Sequence, residues 1–196
     1  MPARNTIKAF EAPAFYHVYN RGAGGRKIFL DDIDRRKFMS LLRRHLVEQP
    51  DKPQEYPIYE AELVAYCLMG NHFHLLLYQE EDVGAISGLM RSLLTAYSMY
   101  FNLRHKSQGH LFQGVYKAAR IDTESYLLHI TRYIHLNPRT YRTYQWSSLR
   151  CYLGQADELV KLDHIEYVSP DKYGVFLEDY EDRHKLLQEI KDQLAL

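Results

Sequence analysis

The sequence predicts an α+β fold. It reads as a ferredoxin-like split βαβ antiparallel sheet with helices on one face, followed by further C-terminal helices. Three observations predict it. Segments of period-2 and period-3.6 apolar patterning follow one another in the order β-α-β-β-α-β-α. The two middle strands meet at Gly70-Asn71, residue types that a tight hairpin demands. The 196 residues suit one domain with appendages and can bury a real core.

Each element has its own warrant. Phe15-Tyr16-His17-Val18-Tyr19-Asn20-Arg21-Gly22 reads as a strand entering a glycine-rich turn, Gly22-Ala23-Gly24-Gly25. Asp31-Asp32 opens a helix to about residue 47, with Ile33, Phe38, Leu41, Leu42 and Leu46 as its apolar face. Pro50, Pro53 and Pro57 mark a loop. A strand over 62–69 turns at Gly70-Asn71 into a return strand over 72–78, apolar enough to be central. Ile86, Leu89, Met90, Leu93, Leu94 and Tyr97 line an amphipathic helix over 82–102. A loop over 105–113 leads to a strand over 115–121. Asp122-Thr123-Glu124-Ser125 then caps a helix that Pro138 stops after residue 136. Trp146-Ser147-Ser148-Leu149 opens a segment expected to fold back on the core. Helical patterns recur near 169–180 and 182–196. There is no internal repeat or low-complexity tract.

Composition narrows the function classes. No run reaches the ~18 apolar residues of a membrane span, and Met1-Pro2-Ala3-Arg4-Asn5 lacks the apolar stretch of a secretion signal. Cys67 and Cys151 are the only cysteines and form no paired motif, so a reduced cytoplasmic setting is expected, with no membrane partner. The formal charge is zero but uneven. Residues 1–150 hold 20 Lys/Arg against 14 Asp/Glu, and residues 151–196 hold 5 against 11. A neutral chain can thus present a basic face to a polyanion, or simply a mixed solvated surface. The 17 tyrosines lie partly among those cations, a pairing that suits single-stranded nucleic acid, although packing also uses tyrosine.

The chemistry concentrates in two places. In a strand, His72 and His74 share one face while Phe73 points to the other. Two imidazoles spaced about 7 Å along a strand can converge on one cation. On the helix Ser125-Tyr126-Leu127-Leu128-His129-Ile130-Thr131-Arg132-Tyr133-Ile134-His135-Leu136-Asn137-Pro138, Tyr133 and Asn137 are i and i+4 and share a stripe with His129 and Tyr126. Asn137 offers a hard oxygen as third ligand, and Tyr133 a nucleophile that can link covalently to phosphorus. Mg²⁺ or Mn²⁺ suits such a set better than zinc, whose closed sites use Cys or a third His. Tyr126 is the rival nucleophile, and Asn137 before Pro138 also reads as a helix-terminating residue. His129 and His135 read as DNA-facing or surface residues. Arg21, Arg91, Lys117, Arg120 and Arg132 are the candidate phosphate contacts. Residues 109–114 read as a cleft loop or a plain connection.

His72-Phe73-His74 resembles the HUH motif, and Tyr133-Ile134-His135-Leu136-Asn137-Pro138 resembles the tyrosine-helix motif of the single-tyrosine HUH transposases. Asn20-Arg21-Gly22, Gly109-His110-Leu111-Phe112-Gln113-Gly114 and Arg132-Tyr133 are similar, in the same order, to segments of the REP-associated tyrosine transposases with an IS200-like domain. The likeness spans roughly residues 13–150. It implies a transposase-like domain over 1–150 and an acidic helical extension over 151–196. It also implies cleavage and rejoining of single-stranded DNA beside a hairpin such as a REP-like palindrome. It further implies a Mg²⁺ or Mn²⁺ cofactor bound by His72, His74 and Asn137, and a 5′-phosphotyrosine formed by Tyr133. Insertion-sequence relatives carry Gln where this chain has Asn137 and act as dimers, whereas REP-associated members act as monomers. The chain is therefore expected to be a monomer or a homodimer. Two other readings are a domesticated hairpin-binding protein without turnover, and a phosphodiesterase that uses water.

Overall fold

A computed structural model describes residues 9–48, 55–165 and 169–178. The strands are β1 (Ala14–Arg21), β2 (Ala61–Met69), β3 (His72–Gln79) and β4 (Lys117–Ile121), and the helices are α1 (Asp32–Leu46), α2 (Ala85–His105), α3 (Glu124–Leu136), α4 (Leu149–Tyr152) and α5 (Pro170–Glu178). The strands form one antiparallel sheet in the order β2-β3-β1-β4, the split βαβ arrangement expected.

Local chemistry sets the helix ends. The Asp31 side chain accepts the Ile33 and Asp34 backbone N–H groups and caps α1. Thr123 does the same for α3 through the Tyr126 N–H. The helix expected from residue 82 starts at Ala85, because Asp82 first closes a turn with its side chain on the Gly84 N–H. It runs a turn further than expected, to His105, where Lys106 adopts a left-handed conformation and ends it. The strand expected from residue 115 begins at Lys117, after a positive-φ Gly114 and an exposed Val115. The helix expected over 182–196, and Pro50 and Pro53, lie outside the described residues.

Strand alternation divides the sheet into two faces. Phe73, Leu75 and Leu77 of β3 pair with Asn20, Val18 and Tyr16 of β1, on the face covered by α1 and α2. Phe38 of α1 packs on Phe73 there, ring centroids 5.2 Å apart. His72, His74 and Leu76 pair with Arg21, Tyr19 and His17 on the opposite face, which α3 covers. A bulge between Leu63 and Ala65 returns β2 to register, so that Cys67 faces the α3 side opposite His74.

The segment after α3 does fold back. Trp146 O accepts the Leu68 N–H, Ser148 N–H bonds Tyr66 O, and Lys161 N–H bonds Leu63 O, all along the outer edge of β2. α5 then packs on α3 with Tyr173 wholly buried. Tyr152, Leu159, Val160, Tyr173 and Leu177 are therefore buried with the core of the preceding sheet.

Candidate active site

The β2–β3 hairpin, the end of β1 and the loop over 109–114 are knitted together by main-chain bonds. Gly22 N–H bonds Asn71 O, Ile28 and Phe29 N–H both bond Gly70 O, Ala23 N–H bonds Leu111 O, and Gln113 N–H bonds Arg21 O. Asn20, Arg21 and Gly22 each hold one strand of this knot. Asn20 Nδ2 donates to Gly114 O, Arg21 Nε donates to Gln113 Oε1, and Gly22 lies where a Cβ would come within 2.0 Å of the Arg26 carbonyl oxygen. The loop over 109–114 thus borders the histidine hairpin and is more than a connection.

The rings of His72 and His74 lie 5.1 Å apart. Asn137, at the C-terminal end of α3, reaches both. Its Oδ1 is 3.0 Å from His72 Nε2, and its Nδ2 is 3.3 Å from His74 Nε2. His72 Nδ1 sits 2.7 Å from Asn71 Oδ1, to which it donates. Among the described residues no group of three or more His, Cys, Asp and Glu could hold a metal ion. The Asn137 amide oxygen is the oxygen that lies beside the two imidazoles, and a nitrogen, nitrogen, oxygen set is one that Mn²⁺ or Mg²⁺ with water could use.

Tyr133 lies one turn before Asn137, its ring edge-on to His74 at 5.3 Å and to His17 at 5.8 Å. It is 1% exposed. Burial drives its hydroxyl well above the usual tyrosine range, with Tyr19 adding to the shift and the Asn137 side chain opposing it. The phenol is protonated at neutral pH.

Two residues of this cluster went unnoticed in the sequence. His17 is fully buried, with Nε2 2.9 Å from His74 Nδ1 and the rings stacked at 5.0 Å. Burial lowers its pKa to about 3. Tyr19 stacks on His17 and lies 5.8 Å from Lys117 Nζ, measured to the ring. A histidine within an otherwise apolar strand was the one available signal.

The candidate phosphate contacts fall into two groups. Arg21 pairs with His72 in register and is exposed, and Lys117 stands opposite Tyr19 on the same face. Arg91 is exposed on α2, across the sheet from the histidines. Arg120 is held by Glu11 and by Asp122 at 3.0 Å. Arg132 is 5% exposed, donates to the Phe176 carbonyl and lies 4.0 Å over the Phe176 ring. Tyr126 is half-buried on α3. His129 bonds Arg132. His135 is no surface residue: it is fully buried between Tyr173 and Ser148, because the i+2 position after Tyr133 turns toward α5 and β2.

Residues 53–137 match the family described as transposase, IS200-like. No curated protein matches the chain. Among solved structures the chain is similar to a REP-associated tyrosine transposase bound to a REP hairpin. The two are 14% identical, the match covers 85% of this chain and 99% of that one, and the TM-score is 0.58, a likeness of fold. It is also similar to a protein of Deinococcus radiodurans R1 assigned provisionally as a transposase. There the identity is 18%, the coverage 68% and 95%, and the TM-score 0.42.

Proposed function

We propose, from the match of residues 53–137 to the IS200-like transposase family, that the protein cuts and rejoins single-stranded DNA beside a hairpin. The observation that carries the reading is the Asn137 amide spanning His72 and His74, with Tyr133 one turn earlier against His74. A strand transferase needs a cation site and a nucleophile side by side, and here one chain supplies both.

In the reaction Tyr133 Oη bonds to phosphorus and loses its proton. The P–O3′ bond breaks, and the departing oxygen takes up a proton to leave a 3′-OH. The product is a 5′-phosphotyrosine, and reversal with another 3′-OH joins strands. His72, His74 and Asn137 would hold a Mg²⁺ or Mn²⁺ ion, which would supply polarisation of the scissile phosphate and offset its developing charge. Asn137 also favours the ionised Tyr133. Arg21 and Lys117, on the same face, contact the strand's phosphates. The hairpin partner rests on the fold likeness to the transposase bound to a REP hairpin. No helix among the described residues is long and apolar enough to cross a membrane.

The burial of Tyr133 favours a second reading, a hairpin-binding protein without turnover. One experiment separates them. The full chain is mixed with single-stranded hairpin DNA and Mn²⁺, then run under denaturing conditions. A protein–DNA adduct that Tyr133→Phe abolishes supports the transferase. Retained binding with neither adduct nor cleavage supports the binding protein. Cleavage that survives Tyr133→Phe identifies water as the nucleophile.

A further inference from the structure

His17 belongs to no motif, yet it is fully buried and directed at the candidate metal site. Its Nε2 lies 2.9 Å from His74 Nδ1, and its own Nδ1 has no hydrogen-bond partner. Register puts it there. His17 pairs with Leu76 and Tyr19 pairs with His74, so His17 is a diagonal neighbour of His74 on the α3 face.

Two neutral imidazoles in this contact share one proton, which has two positions. If His17 Nε2 carries it, His74 must be protonated at Nε2, and an N–H points at Asn137 where a cation's ligand should be. If His74 Nδ1 carries it, His74 Nε2 presents a lone pair. The surroundings choose the second position, since the Asn137 Nδ2 amide group stands 3.3 Å from His74 Nε2 and donates to it. The cost is a buried His17 Nδ1–H without an acceptor, a group that folded proteins rarely leave unpaired.

We propose that His17 is a positioning residue: it accepts the His74 Nδ1 proton and holds His74 in the tautomer whose Nε2 can bind a divalent cation. A ligating histidine commonly donates its other ring N–H, usually to a carboxylate or carbonyl, and here a second imidazole takes that place. The inference rests on the metal-site reading above.

The test has two arms on the full chain. Nitrogen-15 NMR of the metal-free protein reads the His74 tautomer. A protonated Nδ1 is expected, and a protonated Nε2 overturns the proposal. Mn²⁺ titration followed by EPR then compares wild type, His17→Leu and His17→Gln. His17→Leu should bind about 10- to 100-fold more weakly and shift His74 toward the Nε2–H tautomer. His17→Gln, whose amide oxygen can accept the same proton, should recover most of the affinity. Wild-type affinity in His17→Leu, or equal losses in both variants, would make His17 a packing residue and sink the idea. If His17→Leu does not fold, His17→Gln and the wild-type tautomer decide. If wild type itself binds no Mn²⁺, the metal-site reading fails, and the metal-free tautomer still judges the His17 contact separately.

Discussion

His135 Nδ1 and the Tyr173 hydroxyl are 2.7 Å apart, wholly buried, and this bond ties α3, which carries Tyr133, to the last described helix. It belongs to a continuous chain of donors. Tyr66 N–H donates to Ser148 Oγ, Ser148 O–H to His135 Nε2, His135 Nδ1–H to Tyr173 Oη, Tyr173 O–H to Thr131 Oγ1, and Thr131 O–H to Leu128 O. Each link uses a donor once, and neutral His135 serves it with Nδ1 as donor and Nε2 as acceptor. Tyr133 sits between Thr131 and His135 in sequence, so the chain fixes the turn that carries it.

Tyr173→Phe removes one hydroxyl and leaves the His135 N–H buried and unpaired. Stability should fall by about 1–3 kcal/mol, read from the urea midpoint at an unchanged slope. A neutral result would mean that His135 finds another acceptor.

Acid should loosen the same chain. Burial lowers the His135 pKa to about 3, against an ordinary histidine near 6.5. Between those values the unfolded state takes the proton and the folded state does not. The His135 contribution is therefore complete above pH 6.5 and falls as pH drops through the window, by at most about 1.4 kcal/mol per pH unit. In His135→Gln the pH 4–6.5 slope should be shallower by one proton, and an equal slope would contradict the assignment.

Arg21 and Lys117 should behave differently from Arg120 and Arg132. Removing either of the first two should weaken hairpin-DNA binding and reduce the logarithmic salt slope by about 0.7. Arg120→Ala should change that slope little, since Glu11 and Asp122 already occupy its guanidinium. Arg132→Ala should lower the unfolding midpoint, because its guanidinium anchors α5 through Phe176. Filter binding across a salt series and thermal unfolding separate the two behaviours.

The Asn137 amide can be replaced by groups that keep or lose its oxygen. Asn137→Asp should hold Mn²⁺ at least as well as wild type, while Asn137→Ala should bind it at least about 10-fold more weakly, by analogy with loss of a supporting ligand contact. Calorimetric Mn²⁺ titration of the folded variants gives the answer, and equal affinity in all three would remove Asn137 from the ligand set.

Much of this site was legible because its halves obey local periodicities. Residues 72 and 74 share a strand face, and 133 and 137 share a helix face, whatever the tertiary structure. That the two faces meet is a tertiary fact, which complementary ligand chemistry suggested and the resemblance made specific. His17 was illegible for the same reason: its approach to His74 depends on the β1–β3 register, which no short-range pattern specifies. Arg132 and His135 were misread in another way. Their polarity pointed outward, but α5, remote in sequence, provides partners that let both be buried. Helix starts slipped where Asp82 made a turn of its own before α2.

The bonds from Trp146, Ser148 and Lys161 to the edge of β2 have a consequence for assembly. They occupy the Leu63 and Tyr66 carbonyls and the Leu68 N–H on that strand's rim, groups a second sheet would need to zip onto it. Two copies joining strand to strand would have to meet along β4, the sheet's other outer strand, next to Lys117. Removing the chain from Lys161 onward would free only the Leu63 carbonyl, while Trp146 and Ser148 would go on covering the rim at Leu68 and Tyr66.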